Sequence, residues 1–280
     1  MNGQEAIGLY AGWGRLPVIF AEKAKAAGIP VVCVGVRGMA DRAALEPLCQ
    51  RFYWSRLAAL DRPLRCFRRA GVKRIVLVGK IHKQRLFSAF GWLTLWPDLR
   101  ALRFWYWNQR ASNADDTLTL ALFAEAEKDG LTIVPIFDLC PEVLVREGVL
   151  TKRAPTPREE ADIDYGWHLA KEMGRLDVGQ SVAVRERAVL AVEAIEGTDA
   201  NIRRAGTLCR LGGFVVVKVA KPEQDMRFDV PTVGPSTIET MREAGAKLLA
   251  IEAEKTILLD EAETIRLADA AGICIIALKK

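Results

Sequence analysis

The 280 residues exceed what one small core requires and point to two domains, at roughly 100 to 200 residues each. Half are hydrophobic, yet no uninterrupted apolar run approaches the roughly 18 to 20 residues of a spanning helix, so a transmembrane protein is not expected. A net charge of +5 favours an anionic partner, either a phosphorylated metabolite or an anionic membrane surface, but falls short of the dense basic runs of a dedicated nucleic-acid binder.

Ala6 to Tyr10 reads as a short apolar strand. Ala11-Gly12-Trp13-Gly14-Arg15-Leu16-Pro17 follows, and then a helical pattern through Ala27. Gly12 and Gly14 are candidate substrate-binding positions, because glycines let a backbone approach a ligand closely and helix-start amides meet a phosphate. A tight turn serving only the fold is the other reading. Pro17 replaces the third glycine of Gly-x-Gly-x-x-Gly, which argues against a nicotinamide site.

Pro30 to Val36 is a second strand, Ala43 to Gln50 and Leu57 to Ala70 are helices, and Arg74 to Val78 has the composition of a buried parallel strand. Strands alternating with helices predict a doubly wound, Rossmann-like α/β domain closed by Leu131 to Ile136. His82, beside Lys80 and Lys83 past a strand end, is an acid, a base or simply an anion contact. Between Phe87 and Trp107 eight aromatics are interleaved with arginines. That pattern suits stacking on bases, acyl-chain cover, a bilayer interface or a core or dimer contact. Asn113-Ala114-Asp115-Asp116 precedes the helix Leu118 to Lys128 as a cap or an acidic pair.

The proline-broken stretch from Thr151 to Arg158 is the expected boundary, giving domains 1–150 and 161–280 around a linker at 151–160. A helix from Glu159 to Met173, a hairpin from Ser181 to Ala194 and a helix start at Glu196 to Ala200 follow. There Thr198 or Asp199 is read foremost as a cap. The apolar strand Phe214 to Ala220 then runs into a loop dense in charge, from Lys221 through Asp229 to Gly234, before the helix at Thr237. A strand, a charged loop and a helix start suit a phosphate and a divalent metal; a solvated loop is the alternative. Lys247 to Glu252, Thr256 to Leu259, a helix from Asp260 to Ala270 and a strand from Ile273 to Leu278 complete a second mixed α/β domain. Six well-separated cysteines with no Cys-x-x-Cys spacing, and no basic leader, predict a cytoplasmic protein with reduced thiols.

Four passages together resemble the LpxI family, the UDP-2,3-diacylglucosamine pyrophosphatases of lipid A biosynthesis. They are Gly8 to Pro17, Gly-Arg-Leu-Asp-Val-Gly-Gln at Gly174 to Gln180, Glu-Gly-Thr-Asp-Ala at Glu196 to Ala200, and Lys221 to Gly234 with Asp-Val-Pro-Thr-Val-Gly. The resemblance implies a Mg2+-dependent hydrolase, with Mn2+ as an alternative metal, that splits UDP-2,3-diacylglucosamine into UMP and 2,3-diacylglucosamine 1-phosphate, lipid X. It also implies a ligand held between the two domains, a homodimer and work at the cytoplasmic face of the inner membrane. The family's essential aspartate falls on Asp229. Pyrophosphate hydrolysis needs cationic groups on the phosphoryl oxygens and a carboxylate to hold metal or orient water. The expected site is therefore Asp229 and Lys221 for catalysis, Asp229, Asp199 and Glu196 for metal, and Gln180, Thr198 and Thr232 with Gly12 and Gly14 for substrate. The main alternative is a non-catalytic sugar-nucleotide or lipid-binding protein on the same fold.

Overall fold

Apolar runs without alternation become strands covered on both faces. In the computed structural model, which describes residues 5–80, 97–108, 115–222 and 224–280, the chain divides into two units at Pro141/Glu142. His82, the aromatic stretch through Trp96, and Asn113-Ala114 lie outside the described residues.

The first unit holds β1 (Ile7–Ala11), β2 (Val31–Val36), β3 (Arg51–Ser55), β4 (Arg74–Val78) and β5 (Thr132–Ile133). They form one parallel sheet in the order β3-β2-β1-β4-β5. All six residues of β2 are buried, which suits a central parallel strand. Each of its valine side chains contributes about 1.5 kcal/mol or more by burial. Helices α1 (Leu16–Ala26), α2 (Arg42–Leu45), α3 (Asp61–Arg69), α4 (Leu99–Asn108) and α5 (Asp115–Glu127) connect the strands. The helix expected through Gln50 stops early. Pro47 has no amide hydrogen for an α-helical ladder, and the chain tightens into a 3-10 turn at Glu46–Leu48 before entering β3. That strand escapes sequence reading because it sits at the sheet edge and is only partly covered.

The second unit has a six-stranded sheet. Its parallel centre is β9 (Phe214–Lys218), β11 (Ala246–Glu252) and β13 (Cys274–Leu278). β6 (Gly148–Val149) flanks it on one side and the hairpin β7 (Ser181–Arg185) and β8 (Ala188–Val192) on the other, all antiparallel. α6 (Pro157–Arg175) covers one face, where Ile163, Trp167 and Ala170 meet Val182, Val215 and Val217. α7 (Thr198–Leu208), α8 (Pro235–Ala244) and α9 (Glu261–Ala271) cover the other, where Ile202, Met241 and Ala268 meet Ala183, Val216 and Leu249. The two-residue alternation along β9 thus feeds two cores at once. A separate pair, β10 (Thr232–Val233) and β12 (Ile257–Leu258), runs parallel beside the loop after β9.

The stretch expected as a linker is tied into this second unit. Thr151 Oγ1 accepts from the Ile275 amide at 2.9 Å, and β6 pairs with β13. Thr156 and Glu159 form a reciprocal capping box at the start of α6, with Pro157 in the first turn. The prolines here open a helix rather than loosen a hinge. The hairpin turn needs positive φ at both Glu186 and Arg187, and the buried Asp162 carboxylate accepts from both of their amides, at 2.9 and 2.6 Å. None of the six cysteines forms a disulfide, and Cys33, Cys140 and Cys274 are buried. No helix among the described residues is long and apolar enough to cross a membrane.

Candidate functional site

At the carboxyl end of β9 the chain leaves the sheet under tight control. Glu252, 3% exposed at the end of neighbouring β11, accepts from the Ala220 amide at 2.9 Å and from Lys171 Nζ of α6 at 2.6 Å. Lys171 also donates to the Ala220 carbonyl at 3.0 Å. The ion pair therefore holds both backbone polar groups of one residue. Burial alone would push the Glu252 carboxyl up; Lys171, Lys255 and the Ala220 amide outweigh it and hold it below the usual glutamate range.

The loop that starts there carries Asp229. Gln224 is the organiser: its Oε1 accepts from the Lys221 amide at 2.8 Å, while its Nε2 donates to Asp229 Oδ2 at 2.6 Å. A short bond to a carboxylate fixes the direction in which the other oxygen points. The Asp229 amide donates to the Asp225 carbonyl at 3.2 Å, and the Asp225 carboxylate is paired with Arg227, which lowers its pKa. Lys221, expected on a phosphate oxygen, pairs with Asp177, whose backbone has positive φ. Contact with a phosphate would need that pair to exchange.

Deeper in the same strand end lies a buried ammonium group. Lys218, 6% exposed, donates from Nζ to Thr198 Oγ1 at 2.9 Å and to the Thr232 carbonyl at 3.2 Å. Thr198 in turn donates to Glu193 Oε1 at 3.0 Å. This chain joins β9, the start of α7 and the strand before α8. Both helices begin on glycine, Gly197 and Gly234, with no side-chain cap. The first amides of α7 are thereby left for another acceptor, whereas α8 opens on Pro235, which has no amide hydrogen, and its Thr237 amide donates to the Gly234 carbonyl at 3.0 Å. Thr198 is therefore not the cap it was expected to be; its hydroxyl is used between Lys218 and Glu193. Thr232 contributes its carbonyl to Lys218, while its hydroxyl turns to the Val230 carbonyl at 3.0 Å.

Among the described residues, several buried oxygens around this chain have no hydrogen-bond donor: Glu193 Oε2, Gln180 Oε1 and Asn201 Oδ1. Asn201 reaches Ser181, the residue after Gln180, at 3.2 Å. Gly179 packs so closely on Glu193 that an added Cβ would lie 2.0 Å from the Glu193 carbonyl oxygen. Gly179, in the last two residues of the second motif, is thus a seat for Glu193. Unpaired buried acceptors call for hydroxyl donors or a hard cation.

Of the expected metal group, Asp199 stands in the first turn of α7. Glu196 is engaged by its own turn, accepting from the Ala194 amide at 3.1 Å and lying 3.1 Å from Arg204. Among the described residues no three His, Cys, Asp or Glu side chains gather into a metal-holding group. Asp229, Asp199 and Glu196 do not form a ready-made triad. Mg2+ needs none, since one or two carboxylates with substrate phosphates and water complete its shell, and Asp229 fits that use.

In the first unit the glycine loop after β1 closes on the end of the neighbouring strand β4. A Cβ on Gly12 would lie 2.9 Å from the Gly79 carbonyl carbon and from the Lys80 oxygen. The close approach that Gly12 permits is therefore to Gly79 and Lys80. Gly14, with φ of +109°, has open space among the described residues where a Cβ would be.

Sequence reading missed Lys218, Glu193, Gln224 as an organiser, and the Lys171–Glu252 pair. Lys218 offered one signal, a lysine closing an otherwise wholly apolar strand.

Two family models match the chain: the LpxI N-terminal domain over residues 6–143 and the LpxI C-terminal domain over residues 146–276. The UDP-2,3-diacylglucosamine pyrophosphatase LpxI of Caulobacter vibrioides is 34% identical over 284 residues, covering 97% of both chains.

Proposed function

This chain belongs to the LpxI family, and from that premise we propose that it hydrolyses the pyrophosphate bond of UDP-2,3-diacylglucosamine in lipid A biosynthesis, releasing UMP and lipid X. The observation that carries the reading is likeness to a pyrophosphatase of that name along nearly the whole of both chains. The geometry supports it chemically. Water must be brought to a phosphorus, lose a proton and displace the bridging oxygen, while negative charge on the phosphoryl oxygens is offset. Asp229, oriented by Gln224, is the group assigned to hold the metal or direct the water. Lys218, bonded to Thr198 at the start of α7 and to the Thr232 carbonyl ahead of α8, places positive potential where those oxygens would lie. Thr198 and Gln180 belong to the substrate side of the site, and Lys221 joins it on release from Asp177.

Mg2+, with Mn2+ as the alternative, supplies charge neutralisation at the phosphate when bound. Asp229 is its principal protein ligand in this reading, and Asp199 and Glu196 are the further candidates. The enzyme works as a homodimer, and it meets the cytoplasmic face of the inner membrane, a contact that its positive net charge supports. The test is release of UMP and lipid X by the purified chain with and without Mg2+, beside Asp229→Ala. Metal-dependent turnover abolished in the variant is the expected result. Binding of the nucleotide lipid without any turnover by the wild type would overturn the assignment.

A further inference from the structure

Residues 99, 102, 103 and 106 of α4 are spaced to share one helix face. Leu99 is 86% exposed, Leu102 52% and Tyr106 71%, with Arg103 exposed among them. Ala101 and Phe104, on the opposite side, are buried. A helix packed on one face normally turns polar groups outward; this one turns out two leucines, a tyrosine and an arginine.

Beside this face lies a cavity of about 920 Å³, lined in part by Leu99 and Leu102 and by Arg37, Arg56, Arg62 and Arg65. Two aspartates also line it, and both are occupied. Asp98 accepts from the Asp61 and Ala101 amides, each at 2.8 Å, and Asp61 lies 3.6 Å from Arg65. Arg100, a fifth arginine in the lining, is committed to Glu125 and Asp129. Arg37 makes no side-chain hydrogen bond or ion pair among the described residues and is exposed. The lining keeps an excess of positive charge next to an apolar helix face, with the amphipathic Trp54 ring in the same wall.

We propose that this face of the first unit docks on an anionic lipid bilayer. Leu99, Leu102 and Tyr106 enter the headgroup region, and the arginine-lined cavity receives phosphate headgroups. The proposal rests on the membrane contact stated above and gives it an address. Charge decides the occupant. A symmetric pairing with a second copy would set the same arginines against each other, whereas a sheet of phosphodiesters complements them and accepts the leucines as well.

The test is co-sedimentation of the full chain with vesicles of phosphatidylcholine alone or mixed with phosphatidylglycerol. Binding is expected only with the mixed vesicles and falls as salt rises. Arg37→Gln with Arg65→Gln should weaken partitioning about 25-fold, at about five-fold per charge. Leu99→Ser with Leu102→Ser should weaken it roughly ten-fold or more. Circular dichroism and hydrolysis of detergent-dispersed substrate should be unchanged in both. If the leucine variant folds poorly, the arginine variant decides alone, since both of its positions are exposed. Equal binding to neutral vesicles, no binding, or full binding by the variants overturns the proposal. So does a change of assembly mass in the leucine variant with vesicle binding intact, which would assign the face to a second copy. Vesicle binding by a chain that hydrolyses nothing would defeat the enzymatic reading and leave this one standing.

Discussion

Glu252→Gln isolates the pair that controls the exit of β9. The substitution keeps the size of the side chain and an oxygen able to accept from the Ala220 amide, but removes the charge opposite Lys171 at 2.6 Å. The Lys171 side chain is 23% exposed and that of Glu252 4%, so the ammonium left behind is poorly solvated. Losing one partner of such a pair costs about 3 kcal/mol. The Lys255 contact, whose lysine is half exposed, adds at most about 1 kcal/mol. A loss near 3 kcal/mol lowers Tm by roughly 6 to 12 °C for a chain of this size. Because the folded Glu252 carboxyl is held below its ordinary value, its stabilisation is fully present above the unfolded pKa of about 4.3 and is lost as pH falls through the lower folded value. The gap in Tm between wild type and variant should thus be constant from neutral pH down to about pH 5 and close under more acidic conditions. Thermal unfolding followed by circular dichroism across that range is the assay. A variant as stable as the wild type at pH 7, or a gap that stays open in acid, would refute the reasoning.

Other substitutions test the surrounding parts. Gln224→Leu removes the donor at 2.6 Å from Asp229 and should lower kcat about ten- to a hundred-fold with the fold intact, as the loss of one charge-assisted bond of about 1.5 to 3 kcal/mol implies; unchanged kcat would show that Asp229 needs no such support. Gly179→Ala forces a Cβ against the Glu193 carbonyl and should cost at least about 2 kcal/mol, read as a fall in urea midpoint. Thr156→Ala breaks the capping box of α6 and should cost about 1 kcal/mol, or roughly 2 to 4 °C in Tm.

The strands were legible wherever burial on both faces left a continuous apolar run, as in Val31 to Val36 and Phe214 to Lys218. Arg51 to Ser55 was not, because an edge strand shows neither a solid run nor a clean alternation. Thr156-Pro157-Arg158-Glu159 carried its own capping signal, yet two prolines in a polar stretch read more readily as a linker. The loop from Lys221 to Gly234 was visible as a concentration of chemistry, and Asp229 within it stood out by motif. What holds that loop was invisible for a physical reason. Lys171 and Glu252 are 81 residues apart, and Ala220 and Glu252 are 32 apart. Only the parallel pairing of β9 with β11 and the packing of α6 across them bring those groups together. Likewise nothing local to Lys218 announces Thr198 or Glu193, since their meeting depends on how α7 is laid against the sheet.

Gly12 and Gly79 have a consequence for how this chain can change. A Cβ on the first would press on the backbone of the second at 2.9 Å, and a Cβ on the second would press on the backbone of the first at 2.8 Å, with Gly79 also at φ of +103°. The two backbones approach so closely that each position is held to glycine on its own, and replacing both makes two clashes instead of one. No sequence of single substitutions leads away from the pair without crossing a damaged intermediate. Gly14, at φ of +109°, is held to glycine by its own backbone, so divergence or redesign of the loop after β1 must move through Trp13 and Arg15, while this contact stays as it is.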